Sequence, residues 1–302
     1  MVIKNLLLLI ALGGSHNVLA ENILIFGGRG WIGQKIANLL IEQGHNVIYA
    51  KSRLEDRGGI IAEIDNFAPD CIVNVAGIIG KPNVDWCEEH KQETIRTNVI
   101  GTVSLADVAY TKSIHITNIS TGCIYEYDES HPIGSGIGFK EEEEPNFSGS
   151  FYSRTKILME KFLLEYPNVL NLRVKMPISA ELDKGFIGKL RQYKKLINIP
   201  NSVTILEDLI PVAVDMTLKK IKGNFNLVNP GTLSHNEAMN LYKKYIDPSH
   251  TWDNFTIAEQ NEILKARRAN AELSASKLLK LYPGIPDAKS SLEQLMRTRF
   301  AT

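Results

Sequence analysis

One stretch constrains this chain more than any other: the apolar run Ile23-Leu24-Ile25-Phe26, followed at once by Gly27-Gly28-Arg29-Gly30-Trp31-Ile32-Gly33. Four buried-type residues that end in glycine and open into an amphipathic segment, Gln34 to Gln43, read as strand, tight turn and helix. The spacing Gly27-x-x-Gly30-x-x-Gly33 gives each glycine a task. The first makes the turn, the second lets backbone approach a pyrophosphate, and the third lets helix and strand pack closely. The helix N-terminus, with Trp31 and Ile32 in its first turn, then turns N–H groups and the positive end of its dipole toward phosphate. A bland glycine turn is the alternative, and the strand–turn–helix context argues against it.

The rest of the chain repeats the alternation that a parallel sheet with crossover helices requires. Asn46 to Ala50, Cys71 to Val75, Ile114 to Ile119 and Val169 to Val174 are expected strands, and Gly44 is expected to stop the first helix. Val84 to Lys112 reads as one long helix through Ile95, Val99, Leu105 and Val108, and Ser150 to Glu165 as another. After Lys175 the pattern changes. Strand-like pieces at Val203 to Leu206 and Phe225 to Val228 lie among helices at Asn236 to Tyr245, Ile257 to Lys265 and Ser290 to Met296. The fold class is therefore α/β, with a Rossmann doubly wound parallel sheet over residues 21–175. A smaller C-terminal α/β substrate lobe is expected over 176–302, with the cleft between the two.

Lys+Arg and Asp+Glu both number 34, so net charge is zero and no global field favours nucleic acid or an anionic membrane. The three cysteines, Cys71, Cys87 and Cys123, are odd in number and lack metal-ligand spacing, so neither a disulfide framework nor a metal is expected. Residues 1–20 have the outline of a secretory signal: a lysine-bearing start, an apolar run from Leu6 to Leu12 and the exit Val18-Leu19-Ala20. They are too short for a confident membrane span. A nicotinamide cofactor supplied inside cells and a free thiol favour a cytoplasmic protein instead, with residues 1–20 an extension outside the fold.

At the end of the second strand, where NAD binders carry a carboxylate for the ribose 2′-hydroxyl, this chain has Lys51-Ser52-Arg53. With Arg29 in the glycine turn, these cations suit a 2′-phosphate and favour NADPH/NADP+; the plainer reading is solvated surface charge. Tyr152 and Lys156 stand four apart on one helix face. An ammonium beside the phenol is expected to bring the tyrosine pKa down toward working pH. Thr121, just past a strand end, is expected to offer its hydroxyl to the same substrate oxygen.

On these features the chain resembles the extended short-chain dehydrogenase/reductases. The match rests on the glycine turn, Asn74-Val75-Ala76-Gly77, Asn98 with Gly101-Thr102, and Tyr152-x-x-x-Lys156. The resemblance implies a Thr121–Tyr152–Lys156 triad and adds Asn74, Ala76, Gly77 and Asn98 to the cofactor site. Members that dehydrate nucleotide sugars carry Asp-Glu after the triad hydroxyl, and this chain has Gly122-Cys123. Several longer strings are similar to the UDP-4-keto-6-deoxyglucose 3,5-epimerase/4-reductases of UDP-L-rhamnose synthesis. These are Asn83 to Glu88, Thr121 to Asp128, Gly134 to Glu142, Met176 to Ser179, Asn229 to Gly231 and Ser234 to Glu237.

That resemblance implies a nucleotide-diphosphate 4-keto-6-deoxy sugar as substrate. It makes Cys123 the base at the carbons flanking the ketone and Lys189, in Phe186-Ile187-Gly188-Lys189, its partner. Asn83, Asp85 and Trp86 are expected near the sugar, and Arg268 and Asn270 near the diphosphate or sugar. Cys71 and Cys87 are expected in the core, His115 in a structural role, and Glu141 to Glu144 in a solvated loop. A homodimer is compatible with the family. The competing readings are a 4-keto-sugar reductase without epimerase activity and a non-catalytic NADP-binding regulatory subunit.

Overall fold

The structure, a computed structural model, describes residues 19–300. Residues 1–18, nearly all of the signal-like segment, lie outside the described residues.

Six strands form the central sheet: β1 (Asn22–Phe26), β2 (Asn46–Tyr49), β3 (Cys71–Asn74), β4 (His115–Thr121), β5 (Val169–Val174) and a later strand, Gly223–Asn226. Three short pairing segments precede that last strand: β6 (Pro177–Ile178), β7 (Lys195–Leu196) and β8 (Thr204–Ile205), so it is β9. The order is β2-β1-β3-β4-β5-β9 with every neighbour parallel. A parallel sheet is covered on both faces, which is why β1, β3 and β4 are buried almost throughout instead of alternating. Helix Trp31–Glu42 follows β1 and ends as the glycine spacing predicts. Gly44 sits at φ +89°, with its N–H on the Ile41 carbonyl and that of His45 on Leu40, a Schellman closure.

The lobes do not divide at residue 175. Helix Leu206–Leu218 packs into the apolar cluster that holds Ile23, Ile36 and Leu172, and β9 completes the main sheet beside β5. The second lobe has a core of its own, with Ile178, Phe186, Ile187, Leu233, Met239 and Leu292. Val203 to Leu206 is only briefly a strand, because Leu206 already begins the long helix. The helix expected over Val84 to Lys112 is broken into Trp86–Glu89, Lys91–Ile95, a π-helical stretch Arg96–Gly101, and Thr102–Thr111. His90 leaves helical geometry at φ −119°, ψ 55°, with its ring stacked on Trp86. Gly101 lies so close to Leu54 that a Cβ would come within 2.9 Å of its backbone. Among the described residues no helix is long and apolar enough to cross a membrane.

Candidate active site

The glycine turn is built as a cradle. Gly27 sits at φ +72°, and a Cβ there would lie 2.5 Å from the Ala76 amide nitrogen. A Cβ at Gly33 would lie 2.5 Å from the Gly27 carbonyl, whereas Gly30 faces open space beyond that same oxygen. Backbone is thus exposed where a pyrophosphate needs it, at the N-terminus of helix Trp31–Glu42. Arg29, Lys51 and Arg53 are exposed and form no salt bridge among the described residues, and the buried Ser52 Oγ has no partner. An orphaned hydroxyl beside free cations fits a phosphate-bearing group. The Lys51 and Ser52 amides are already taken by the Glu63 carboxylate, at 2.8 and 2.6 Å, so such a group would meet side chains there.

Asn74 and Asn98, both expected at the cofactor, are spent on the protein. Asn74 donates to Asn118 and accepts from the Ala76 N–H, while Asn98 brackets both polar groups of the Ile78 backbone at 2.8 Å. They shape the loop after β3. That loop reaches the chemistry: a Cβ at Gly77 would lie 3.7 Å from Lys156 Nζ.

Ser150 caps helix Phe151–Leu163 through the Ser153 N–H, and Ser153 Oγ donates to the Cys123 carbonyl at 2.6 Å. The helix carrying Tyr152 and Lys156 is thereby tied to the turn after β4. In that turn Thr121 Oγ1 accepts from the Cys123 N–H at 3.0 Å and faces the Tyr152 phenol. Tyr152 and Lys156 are buried. The expectation that Lys156 depresses the tyrosine is reversed in this site. Burial pushes the Tyr152 phenol well above its ordinary range, the nearby Cys123 adds to this, and Thr121 only partly offsets it. Burial also brings Lys156 down to about 8, against the pull of Glu160 one turn later.

Cys123 is half-buried and free. Lys189, near the end of helix Gly185–Leu190, is close enough to feel it. Burial lowers the Lys189 ammonium and Arg268 adds to that, while Cys123 opposes both. Sequence reasoning missed Lys175, a buried lysine past the end of β5 whose Nζ donates to the Ala269 carbonyl at 3.1 Å. Burial lowers its ammonium, and Cys123 is the charge that opposes the shift. Its signal was a lysine directly after a strand that is buried almost throughout.

The two substrate segments meet. Arg268 donates to Asp85 at 2.8 Å across 183 positions, and although burial works the other way, Arg268 holds the Asp85 carboxyl below its usual range. Asn83 accepts from the Asp85 N–H, and Trp86 opens the next helix with its ring on His90. Asn270 is bound instead: its side chain accepts from Asn201 at 2.9 Å, so it braces the segment behind Arg268. Cys71 and Cys87 lie in the core, as expected, and burial raises both thiols. His115 is buried in β4. Glu141 is not solvated, since it is buried and accepts from the Asn226 N–H at 2.9 Å.

The family model for the NAD dependent epimerase/dehydratase family matches residues 23–181. The bifunctional dTDP-4-dehydrorhamnose 3,5-epimerase/dTDP-4-dehydrorhamnose reductase of Arabidopsis thaliana is 50% identical over 273 residues, 90% of this chain and 91% of that protein. A trifunctional UDP-glucose 4,6-dehydratase/UDP-4-keto-6-deoxy-D-glucose 3,5-epimerase/UDP-4-keto-L-rhamnose-reductase of the same plant is 48% identical over 282 residues. The match spans 93% of this chain but 42% of that protein. Among solved structures, the UDP-rhamnose synthase of Acanthamoeba polyphaga mimivirus matches with a TM-score of 0.86 at 37% identity, over 92% of this chain and 99% of that one.

Proposed function

The chain belongs to the NAD dependent epimerase/dehydratase family, and from that premise we propose that it is a bifunctional 3,5-epimerase/4-reductase. It converts UDP-4-keto-6-deoxy-D-glucose to UDP-L-rhamnose with NADPH. The observation that carries this reading is the tie between the turn after β4, where Thr121 Oγ1 accepts from the Cys123 N–H at 3.0 Å, and the helix of Tyr152 and Lys156, whose Ser153 Oγ donates to the Cys123 carbonyl at 2.6 Å.

The C4 ketone acidifies the protons at C3 and C5, and inversion at each carbon needs a base on one face and an acid on the other. Cys123 takes the proton and Lys189 returns one to the opposite face. Thr121 and Tyr152 stabilise the oxygen of the enolate between these steps. NADPH, when bound, supplies the hydride that reduces C4. Tyr152, held protonated by burial, gives its proton to the C4 oxygen, and Lys156 beside Gly77 supports it from the cofactor side. Gly27, Gly30 and Gly33 with the helix start at Trp31 and Ile32 would hold the pyrophosphate, and Arg29, Lys51, Ser52 and Arg53 the 2′-phosphate. Asp85 and Arg268 draw the segments of residues 83–86 and 266–270 together over the sugar diphosphate. Dependence on NADPH favours a cytoplasmic site. Leu158 and Phe162, exposed one turn apart on the Tyr152 helix, and Ile100 offer an apolar face for a homodimer.

The test is turnover of UDP-4-keto-6-deoxyglucose with NADPH in deuterated water. UDP-L-rhamnose labelled at C3 and C5 is the expected product. Cys123→Ser is expected to abolish the labelling yet still reduce a ketone that has already been epimerised. Loss of both activities, or of neither, would overturn the assignment of Cys123, and a parent protein that reduces the ketone without labelling C3 and C5 would favour a reductase without epimerase activity.

A further inference from the structure

The helix that carries Lys189 is fastened to the first turns of the cofactor helix chiefly through one carboxylate. Glu181 Oε1 accepts from Trp31 Nε1 at 3.0 Å and from Lys35 Nζ at 2.7 Å, and Oε2 pairs with Lys184 Nζ at 2.6 Å. Trp31 and Lys35 lie in the first two turns of helix Trp31–Glu42. Lys184 is the residue that begins helix Gly185–Leu190. The next residue in the chain closes the contact sterically. Gly185 sits at φ +61°, and a Cβ there would lie 2.5 Å from the Trp31 ring and 2.4 Å from the Pro177 carbonyl. Glu207 adds a second tie, accepting the Ala180 N–H at 3.0 Å with Lys35 3.8 Å away. Bonds from Lys184 and Lys35 hold the Glu181 carboxyl down to about 2, so the clasp is charged at any working pH.

We propose that Glu181 is a positioning residue for Lys189, clasping the Lys189 helix to the first turns of the cofactor helix so that the epimerisation acid is set in register with the glycine turn. The inference rests on the reading of Lys189 as the partner of Cys123. Trp31, placed by its sequence position at the cofactor, turns its indole N–H away to this task. Hydride transfer at saturating cofactor needs Tyr152, whose helix Phe151–Leu163 makes no bond to the clasp. Epimerisation also needs Lys189 correctly placed, and a displacement of about 1 Å at such a group costs on the order of 100-fold.

Glu181→Ala, Glu181→Gln and Lys189→Met are compared in two assays. One follows deuterium uptake at C3 and C5 of UDP-4-keto-6-deoxyglucose, and the other hydride transfer from NADPH to UDP-4-keto-L-rhamnose at saturating cofactor. Glu181→Ala is expected to slow uptake about 10- to 100-fold, in kcat and not in KM, with hydride transfer unchanged. Glu181→Gln keeps part of the clasp and is expected to fall between. Because the ion pairs are partly exposed, salt should slow uptake in the parent and leave Glu181→Ala insensitive. Glu181→Ala with parental uptake, or with both assays reduced alike, overturns the clasp while Lys189→Met still loses uptake. Lys189→Met with parental uptake removes the premise and the clasp together.

Discussion

Replacing Glu160 by glutamine strips one charge from an ion pair that water does not reach. The Arg173 and Glu160 side chains are 2% and 4% exposed. Arg173 Nε lies 3.0 and 3.2 Å from the two carboxylate oxygens, its terminal nitrogen also bonds Oε1, and Asn171 donates to Oε2 at 2.9 Å. Glutamine preserves the shape and one acceptor, but takes away the carboxylate bonded to the guanidinium and leaves only the more distant charge of Glu141. Breaking a buried pair from one side costs about 3–5 kcal/mol. The lower end applies here, because Arg173 keeps bonds to the Glu141 carbonyl and Asn226 at 3.2 and 3.4 Å. About 3 kcal/mol corresponds to a Tm lower by roughly 5 °C in a chain of 302 residues. Urea and thermal unfolding read both quantities. Glu160→Met with Arg173→Met removes both charges and is expected to recover most of the loss. A single-variant cost below about 1 kcal/mol would refute the reasoning.

The same carboxylate reaches the chemistry. Glu160 is the group that pulls the Lys156 ammonium up against burial, which holds it at about 8. In Glu160→Gln the lysine loses its proton at lower pH, and the basic limb of the pH–rate profile for NADPH-dependent reduction moves toward acid. An unmoved limb would detach Glu160 from the active site and leave it a purely structural residue.

Burial depresses two histidines, His115 and His235, from 6.5 to about 4. The unfolded chain takes up protons below pH 6.5 while the folded one does not until about pH 4, so stability falls as pH drops through that window and is flat above it. At pH 5 each costs about 2 kcal/mol, and urea melts of a His115→Asn, His235→Asn variant should show the slope flattened; an unchanged slope would point to other groups. Gly33→Ala forces a methyl against the Gly27 carbonyl. A cost of about 1–3 kcal/mol should weaken NADPH binding roughly 5- to 150-fold in fluorescence titration, and wild-type affinity would contradict the cradle. Asp85→Asn loosens the bond to Arg268. At about 1 kcal/mol it should raise KM for the nucleotide sugar about fivefold with kcat kept, and an unchanged KM would separate this pair from the substrate.

The glycine turn and its flanks were legible because each signal agreed with the next: a fully apolar strand, a fixed glycine spacing, and a helix stopped by Gly44. The pairing of Tyr152 with Lys156 on one helix was legible for the same reason, since their spacing puts them on one face whatever surrounds them. Elements whose local signals conflict were not. Helix Arg57–Phe67 carries Gly58 and Gly59 in its first turn and is started by Asp56, which caps Gly59. Helix Leu206–Leu218 contains Pro211 and is buried over most of its surface, so it lacks an amphipathic stripe. The helical register from Val84 to Lys112 survives in the apolar spacing while the backbone breaks at His90, because tertiary contacts of Trp86 and Gly101 decide the path. Side-chain partners were beyond reach altogether. Nothing local to Asn74, Asn98 or Asn270 shows that their amides are consumed by Asn118, Ile78 and Asn201.

The tyrosine illustrates the limit of spacing most sharply. A spacing of four from Tyr152 to Lys156 suggests an ammonium that draws a proton off the phenol. Both groups are buried, however, and desolvation penalises the charged form of each, so the phenol stays protonated and the ammonium is weakened. A phenol that holds its proton until a substrate oxygen demands it is a donor. That is the role needed when hydride reaches a ketone carbon, and equally when an enolate must be stabilised beside Cys123. One polarity of the site therefore serves both half-reactions. Epimerisation requires the carbonyl oxygen to accept a hydrogen bond without keeping the proton, and reduction requires it to keep it. In the proposed mechanism the same Tyr152 hydroxyl satisfies both, and the arrival of hydride at C4 decides between them.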